Sequence, residues 1–314
     1  MNNPLASALS RASLWSERHG LVPAAVRWPL RAARRAVVRT GDPLVRYRHA
    51  GFDLWLPLSH QLPYYRLWFP EYDLALGRLA RAVAARHPEG SVVDIGANVG
   101  DSAAVIRSGC DLPLLCIEGD PRFFALLQRN APALGADVRL VQALVGDGAE
   151  SAQVSLSSSF GTARLVKGGE VRLESLQTIL EREKLPTPGL VKIDTDGYDC
   201  RIVTANLTLL RRHKPVLFFE YDPAFYPHDF DALGFFRGLA AAEYDRLLVY
   251  ENTGDFLLSL RLSDEAALRD LHEHYRGRKS LRYADLCLFS GADADLAASF
   301  HESELAHYRV ARPS

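Results

Sequence analysis

The sequence predicts an α/β protein built on a doubly wound, mostly parallel sheet. Three observations lead to this prediction. Apolar strands alternate with helices from about residue 74 onward, a glycine turn follows the first strand of that alternation, and acidic residues follow several later strands. Parallel strands need long crossover connections, which the intervening helices provide. Ligands of such sheets bind at the carboxyl ends of the strands.

The first 85 residues are predicted to be an accessory region rich in Arg and Trp. Residues 1–50 are expected to form one or two short helices broken at Pro23 and Pro29, and residues 51–58 alternate like a strand. Seven arginines and one acid precede Asp42, and all four tryptophans lie in this region. A basic amphipathic helix can lie on an anionic membrane. The plainer interpretation is a helical lid with its arginines in solvent.

The elements of the sheet follow the accessory region in order. Each predicted strand is a short apolar run, and residues 146–170 form a less regular insert with Ser and Gly. The last two strands are joined by a long connection and are expected to close the sheet as an antiparallel pair. The predicted helices are 74–85, 101–108, 121–131, 174–183, 199–211 and 231–242, and the seven predicted strands are 91–95, 113–118, 138–144, 189–194, 215–221, 246–251 and 284–290.

Composition describes an ordinary globular protein. The 314 residues are 48% hydrophobic, which is enough for the core of one large α/β domain plus an accessory segment. We expect the accessory region over 1–85, the domain over 86–290 and a helical tail over 291–314. A net charge of −1 disfavours a nucleic-acid partner. Four cysteines without a C-x-x-C pair favour a reducing, cytoplasmic compartment. The sequence has no signal-peptide pattern and no membrane-spanning apolar run.

The glycine turn predicts an adenosine-containing cofactor. Gly96 and Gly100 permit close backbone approach to a ligand, and Glu118 is placed to accept hydrogen bonds from ribose hydroxyls. Asn98 stands where a dinucleotide fingerprint needs glycine. Asp94 and Asp101 would repel phosphates but suit a cationic amino acid group. S-adenosylmethionine has a sulfonium, an ammonium and a ribose, and no phosphate, so it is the expected cofactor.

Five sequence blocks together resemble the FkbM family of S-adenosylmethionine-dependent methyltransferases, over roughly residues 86–290. The resemblance implies a Rossmann-like class I methyltransferase fold with a seven-stranded, mostly parallel sheet and an antiparallel last strand. It also implies O-methylation, with a sugar of a surface glycan or of its lipid- or nucleotide-linked precursor as acceptor. The family usually has Lys-Ile-Asp-x-Glu-Gly at the fourth strand, whereas this chain has Asp196 in place of the glutamate. The blocks are Asp-Ile-Gly-Ala-Asn-Val-Gly at 94–100, Ile-Glu-Gly-Asp-Pro at 117–121, Val-Arg-Leu-Glu-Ser-Leu at 171–176, Val-Lys-Ile-Asp-Thr-Asp-Gly-Tyr-Asp at 191–199 and Val-Leu-Phe-Phe-Glu-Tyr-Asp-Pro at 216–223.

The residues predicted to bind the cofactor lie in the glycine turn or just beyond a strand. Asp94 is expected to hold the amino group of the methionine part, and Ala143 and Leu144 are expected to flank the adenine ring. Asp101 and Asp120 have a second interpretation, because each also stands where it can begin a helix. The full set is Asp94, Gly96, Ala97, Asn98, Gly100, Asp101, Glu118, Gly119, Asp120, Ala143, Leu144 and Asp194.

Four residues are candidates for the chemistry of methyl transfer, which must align the acceptor oxygen and handle its proton. Asp194 and Asp196 end the fourth strand, Glu220 ends the fifth, and His228 lies shortly beyond it. Adjacent strand ends lie about 5 Å apart, so the three carboxylates can converge. Two mechanisms are open: these carboxylates hold Mg²⁺, or one of them or His228 acts as a metal-free base.

Each candidate also has a purely structural interpretation. Asp196 can cap the helix that starts near Tyr198, and Glu220 can be buried against Lys192. For the whole protein, the alternative to an enzyme is a non-catalytic, cofactor-binding partner in a glycan-assembly complex that docks through its Arg/Trp-rich end. Retention of the three carboxylates argues against that alternative. A homo-oligomer and a peripheral membrane contact stay open.

Overall fold

Helices and strands alternate along most of the chain in the computed structural model, which describes residues 3–19, 23–146, 148, 152–159, 162–171, 173–277 and 282–311. The helices are α1 (Pro4–Arg18), α2 (Ala24–Gly41), α3 (Leu62–Trp68), α4 (Leu74–Arg86), α5 (Asp101–Gly109), α6 (Pro121–Leu134), α7 (Leu176–Glu183), α8 (Asp199–Ala205), α9 (Leu207–His213), α10 (Ala232–Ala241), α11 (Glu265–Arg276) and α12 (Ala294–Ala311). The strands are β1 (Leu44–His49), β2 (Phe52–Pro57), β3 (Ser91–Ile95), β4 (Leu114–Glu118), β5 (Val138–Gln142), β6 (Leu144–Gly146), β7 (Ala152–Ser159), β8 (Thr162–Val171), β9 (Leu173–Ser175), β10 (Pro188–Ile193), β11 (Val216–Tyr221), β12 (Tyr244–Glu251), β13 (Phe256–Arg261) and β14 (Ala284–Ser290).

Eight strands of the described part form one open sheet, in the order β13, β12, β14, β11, β10, β3, β4, β5. The strands from β11 to β5 in this order pair in parallel, and β14 lies antiparallel between β11 and β12. The predicted mostly parallel sheet with an antiparallel last strand is therefore confirmed. β3 and β10 are neighbours in the sheet, and the strand order runs outward from them in opposite directions, to β4 and β5 on one side and to β11 on the other. Such a switch point opens a crevice at the carboxyl ends of the two strands.

The structure adds an eighth strand that the sequence does not predict. β13 pairs antiparallel with β12 at the edge of the sheet. It lies within the long connection before β14, and its residues are only partly buried, so it lacks the fully apolar run of the central strands. The hairpin of β1 and β2 is likewise larger than predicted, since only its second strand was expected.

One predicted helix break is absent from the structure, and one predicted continuous helix is broken. Pro29 lies inside α2 rather than ending a helix. A proline there removes the hydrogen bond to the carbonyl of Ala25, which is exposed, so solvent can satisfy that group. Conversely, the single helix predicted over 199–211 is two helices, α8 and α9, which meet at Asn206 in a non-helical conformation.

The main core joins the sheet to β2, α3 and α4 of the N-terminal region. Leu54 and Leu56 of β2 are fully buried in the same cluster as Leu76 of α4 and Val92 of β3. The helices α1 and α2 contribute far less, because α2 has no buried residue at all. No helix in the described ranges combines the length and apolar character needed to cross a membrane.

Candidate active site

A cavity of about 670 Å³ opens at the carboxyl ends of the parallel strands. Its lining comes from the glycine turn after β3, the ends of β4, β10 and β11, the segment before β14, and the helix α3. The predicted site residues that line it are Gly96, Asn98, Asp101, Glu118, Gly119, Ala143, Leu144, Asp194, Asp196 and Glu220.

A buried ion pair lies at the base of this cavity, with Lys192 in its lining and Asp94 behind it. Strand pairing places Lys192 of β10 next to Asp94 of β3, and the Lys192 Nζ lies 3.0 Å from Oδ1 of Asp94. Ser102 Oγ donates to the other Asp94 oxygen at 2.6 Å. Burial opposes the charged form of Lys192, but the carboxylates of Asp94 and Asp194 outweigh it and raise its pKa. Lys192 is therefore a cation.

This pair gives the buried side chain of Asp94 a structural role. Its side chain is wholly buried and does not line the cavity, and Lys192 compensates its charge. The ammonium of Lys192 also donates to the carbonyl of Gly96 at 3.1 Å, so the pair supports the glycine turn from below. Asp94 thus holds the protein's own cation, and its contact with the amino group of a cofactor stays a prediction.

The glycines of the turn make room for protein atoms. Gly96 has a φ of +75°, and a Cβ at this position would lie 1.8 Å from the carbonyl oxygen of Asp194. Gly100 has a φ of +91°, and its Cβ would lie 3.1 Å from Leu127. Both conformations favour glycine. The glycines therefore let the turn approach the chain after β10 and α6 closely, and Gly96 also lines the cavity, where its approach to a ligand stays a prediction.

Glu118 is fixed by two backbone amides. Its Oε2 accepts from the N–H of Asn98 at 2.8 Å, and its Oε1 accepts from the N–H of Asp120 at 2.7 Å. Burial raises the pKa of Glu118 to about 6. Each oxygen keeps a second lone pair, and Glu118 lines the cavity, so it can accept hydrogen bonds from a bound ligand.

The helix starts near this site resolve two open alternatives. Asp120 caps α6, because its side chain accepts from the N–H groups of Arg122 and Phe123. Asp101 is not a cap, since Gly100 holds the cap position of α5. Asp101 instead lines the cavity. Three other predicted cofactor residues do not line it: Ala97, which is buried, Gly100 and Asp120.

One wall of the cavity is strongly acidic. Glu220 of β11 stands directly opposite Asp285 of β14 in the strand pairing. Burial, followed by the charges of Asp194 and Asp199, raises the pKa of Glu220 well above its usual value. The carboxyl groups that line the cavity on this side, called the acidic wall below, are Asp73, Asp194, Asp196, Glu220, Asp222 and Asp285.

The loop after β10 is organised by Asp199, which the sequence analysis did not select. Its Oδ1 accepts from the N–H of Thr195 at 2.8 Å and its Oδ2 from the N–H of Gly197 at 3.0 Å. Asp196 has a left-handed φ of 52° in this loop and does not cap α8. The predicted pairing of Glu220 with Lys192 is also not observed, since the acidic ion-pair partners of Lys192 are Asp94 and Asp194.

The predicted Mg²⁺ site has no support in the arrangement of these side chains. In the described ranges, no three or more His, Cys, Asp and Glu side chains form a group that could hold a metal ion. Asp194, Asp196 and Glu220 share the cavity without converging in that way. His228 is exposed and is not part of the cavity lining, so the structure does not bring it to the other candidates.

The N-terminal region contributes aromatic side chains to the cavity. The exposed rings of Tyr65 and Trp68 in α3 line the cavity.

Asn130 of α6 connects the hairpin to the glycine turn: its side chain exchanges hydrogen bonds with both backbone groups of Trp55 and donates to the carbonyl of Val99 at 2.8 Å. A lone buried Asn in a helix gives no signal of this role in the sequence.

The strand order, with an antiparallel strand inserted between the last two parallel ones, and the cavity at the switch point define a Rossmann-like class I methyltransferase fold. The methyltransferase FkbM domain matches residues 94–250, which is half of the chain. The protein belongs to this family of methyltransferase domains.

Solved structures with a similar chain path include two methyltransferases. The precorrin-6y C5,15-methyltransferase of Geobacter metallireducens is 12% identical, with a TM-score of 0.35, and the match covers 65% of this chain and 80% of that one. The O-methyltransferase of Bacillus cereus, solved in complex with SAH, is 10% identical, with a TM-score of 0.38, and the match covers 68% of this chain and 80% of that one. A comparison with curated proteins found no match.

Proposed function

We propose that the protein is an S-adenosylmethionine-dependent O-methyltransferase that acts on a sugar hydroxyl of a surface glycan or of its precursor. The observation that carries the proposal is the geometry of Glu118. Two backbone amides orient its carboxylate at the end of β4, beside the glycine turn and on the cavity. A carboxylate in this position suits the two hydroxyls of a ribose.

The rest of the lining suits the other parts of this cofactor. Ala143 and Leu144 offer an apolar surface next to Gly119 for the adenine ring. Asp101 and the acidic wall favour cationic groups, because opposite charges attract strongly in a partly buried site. When bound, S-adenosylmethionine supplies the methyl group that the acceptor oxygen takes in an in-line displacement.

Glu220 is the proposed general base. A base works best when its pKa lies near the working pH, and burial with neighbouring carboxylates moves the pKa of Glu220 upward from its usual acidic value. Its carboxylate accepts the proton of the acceptor hydroxyl, while the carboxylates of Asp194 and Asp196 accept hydrogen bonds from the other hydroxyls of the sugar ring. Metal ions have no part in this proposal.

The lining also favours a sugar as the acceptor. Tyr65 and Trp68 present exposed aromatic rings, which pack well against the apolar faces of sugar rings. The acidic wall repels anions, so a neutral hydroxyl-bearing ring fits it better than a carboxylate or a phosphate. Any phosphate linkage in a glycan precursor would therefore lie outside the wall.

The test is methyl transfer from labelled S-adenosylmethionine to glycan precursors of the native host, with identification of the methylated product. We expect a methyl ether of a sugar with the wild type. The variants Glu220→Gln and Asp196→Asn should bind the cofactor normally in calorimetry and lose transfer. Full activity in both variants would overturn the proposed site, and cofactor binding without transfer in the wild type would support the non-catalytic alternative.

A further inference from the structure

The helical pair formed by α1 and α2, called the helix pair below, exposes an unusual amount of apolar surface. Half of the large hydrophobic residues exposed in the described ranges lie in it: Leu5 (82% exposed), Trp15 (54%), Val26 (45%) and Trp28 (70%). Isolated exposed apolar residues are normal, but two exposed tryptophans on neighbouring helices are not. Water is therefore a poor environment for this surface.

The same surface is strongly basic. The helix pair carries seven arginines, and its one acid, Glu17, pairs with Arg31 at 2.7 Å. Among the described residues, none of the ion pairs includes Arg11, Arg18, Arg35 or Arg39, and all four are exposed. In α2, the spacing of seven and then four residues places Trp28, Arg35 and Arg39 on one stripe of the helix. Aromatic and basic groups thus face the same side.

The rest of the protein does not cover this stripe. α2 has no buried residue over its whole length, and its contact with the rest of the protein includes Val37, which packs against the cluster of Ala6, Val45 and Leu58. Arg34 adds a second contact, because it donates to the carbonyl of Leu58 at 2.8 Å and lies over the ring of Tyr64 in α3. Since α3 also carries Tyr65 and Trp68, the helix pair is held next to an element of the cavity lining.

We propose that the helix pair docks the protein on an anionic membrane surface. The arginines contact lipid headgroups, and Trp15 and Trp28 enter the interfacial layer, where aromatic rings are favoured. Charge complementarity favours an anionic lipid surface, because the exposed basic groups Arg11, Arg18, Arg35 and Arg39 are spread along both helices beside exposed tryptophans. The docked helix pair would hold the cavity near the membrane through α3. This proposal does not depend on the methyl-transfer activity.

The test is sedimentation of the full chain with vesicles. We expect binding to vesicles that contain phosphatidylglycerol, weak binding to pure phosphatidylcholine, and loss of binding as salt is raised, because salt screens exposed charges. Each arginine near such a surface contributes about a five-fold change in affinity. The double variant Arg35→Gln/Arg39→Gln should therefore bind about 25-fold more weakly. Trp28→Ser should also weaken binding.

The matched controls are Arg269→Gln/Arg309→Gln and Leu257→Ser, which remove exposed arginines and an exposed leucine elsewhere in the fold. They should bind vesicles like the wild type. The proposal is overturned if the α2 variants bind as well as the wild type, or if their controls lose as much affinity. Equal binding to neutral vesicles would also overturn it. Methyl transfer to a water-soluble acceptor should be unchanged in the α2 variants, which separates this test from that of the proposed function.

Discussion

Lys192 and Asp94 form an ion pair at the base of the cavity, with Nζ and Oδ1 3.0 Å apart and both side chains buried. The pair lies between the two central strands and holds the carbonyl of Gly96 through the same ammonium. It therefore connects the stability of the sheet to the shape of the cofactor turn.

Replacing Lys192 with Met should destabilise the protein. The change leaves the buried carboxylate of Asp94 without a counter-charge, and breaking a buried pair in this way costs about 3–5 kcal/mol. The free energy of unfolding in urea measures this loss. The control is the double variant Asp94→Asn/Lys192→Met, which removes both charges and should recover part of the stability. A loss below about 1 kcal/mol in the single variant would contradict this role for the pair.

The pH dependence of methyl transfer tests Glu220 as the base. A base acts only when deprotonated, so kcat/KM should rise with pH to a plateau. The raised pKa of Glu220 should place this rise above the usual range for a glutamate. Glu220→Gln should lower kcat by about 10²–10⁴-fold and abolish the rise, whereas Glu220→Asp should keep it at a lower rate. An unchanged pH profile in Glu220→Gln would assign the base to another residue.

Deprotonation of Asp73 should lower the free energy of unfolding as pH rises. Burial, with the charges of Asp101 and Asp194, raises its pKa in the folded state to about 8 from an ordinary 3.8. The folded state therefore binds this proton more tightly than the unfolded state, and its stabilising effect is lost as pH rises from about 4 through about 8. Asp73→Asn stays neutral, so its stability relative to the wild type should increase over that interval. Urea unfolding at pH 5 and pH 9 checks this, and a constant difference would contradict it.

Asn130 should affect both stability and cofactor binding. Asn130→Ala leaves the backbone groups of Trp55 and the carbonyl of Val99 without their partner, at about 1–3 kcal/mol for each buried group. Because Val99 lies in the glycine turn, the affinity for S-adenosylmethionine should also fall. The matched control is Asn206→Ala, another buried asparagine that bonds a backbone carbonyl away from the turn. Equal affinities in both variants would remove Asn130 from the support of the turn.

The sequence predicted the sheet because its central strands are apolar runs separated by helices. It missed β13, whose residues are only partly buried, and it expected α2 to break at Pro29, although an exposed helix tolerates the lost hydrogen bond there. Local sequence patterns are therefore sufficient to predict buried strands. They are insufficient for exposed elements such as β13 and α2, where solvent can form the hydrogen bonds that the protein does not supply.

The sequence predicted where the site lies more completely than it predicted the contacts of the site residues. Glu118 and the acids at the ends of β10 and β11 do line one cavity. The contacts of Asp94 could not be predicted, because its partner Lys192 is 98 residues away and meets it only through strand pairing. Likewise, Asp73 and Asp285 join the acidic wall from distant segments. Such contacts depend on topology rather than on local sequence.

Calorimetric titration with S-adenosylmethionine, for the wild type and for Glu118→Gln, tests the central claim most directly. An amide can accept hydrogen bonds through only one of its two positions, so it cannot satisfy the N–H groups of both Asn98 and Asp120 and also bind a ribose. We predict one cofactor bound per chain in the wild type. Affinity should fall about 10- to 100-fold in the variant, as expected for loss of a charge-assisted hydrogen bond. Absence of binding in the wild type, or equal affinity in both proteins, would contradict the account.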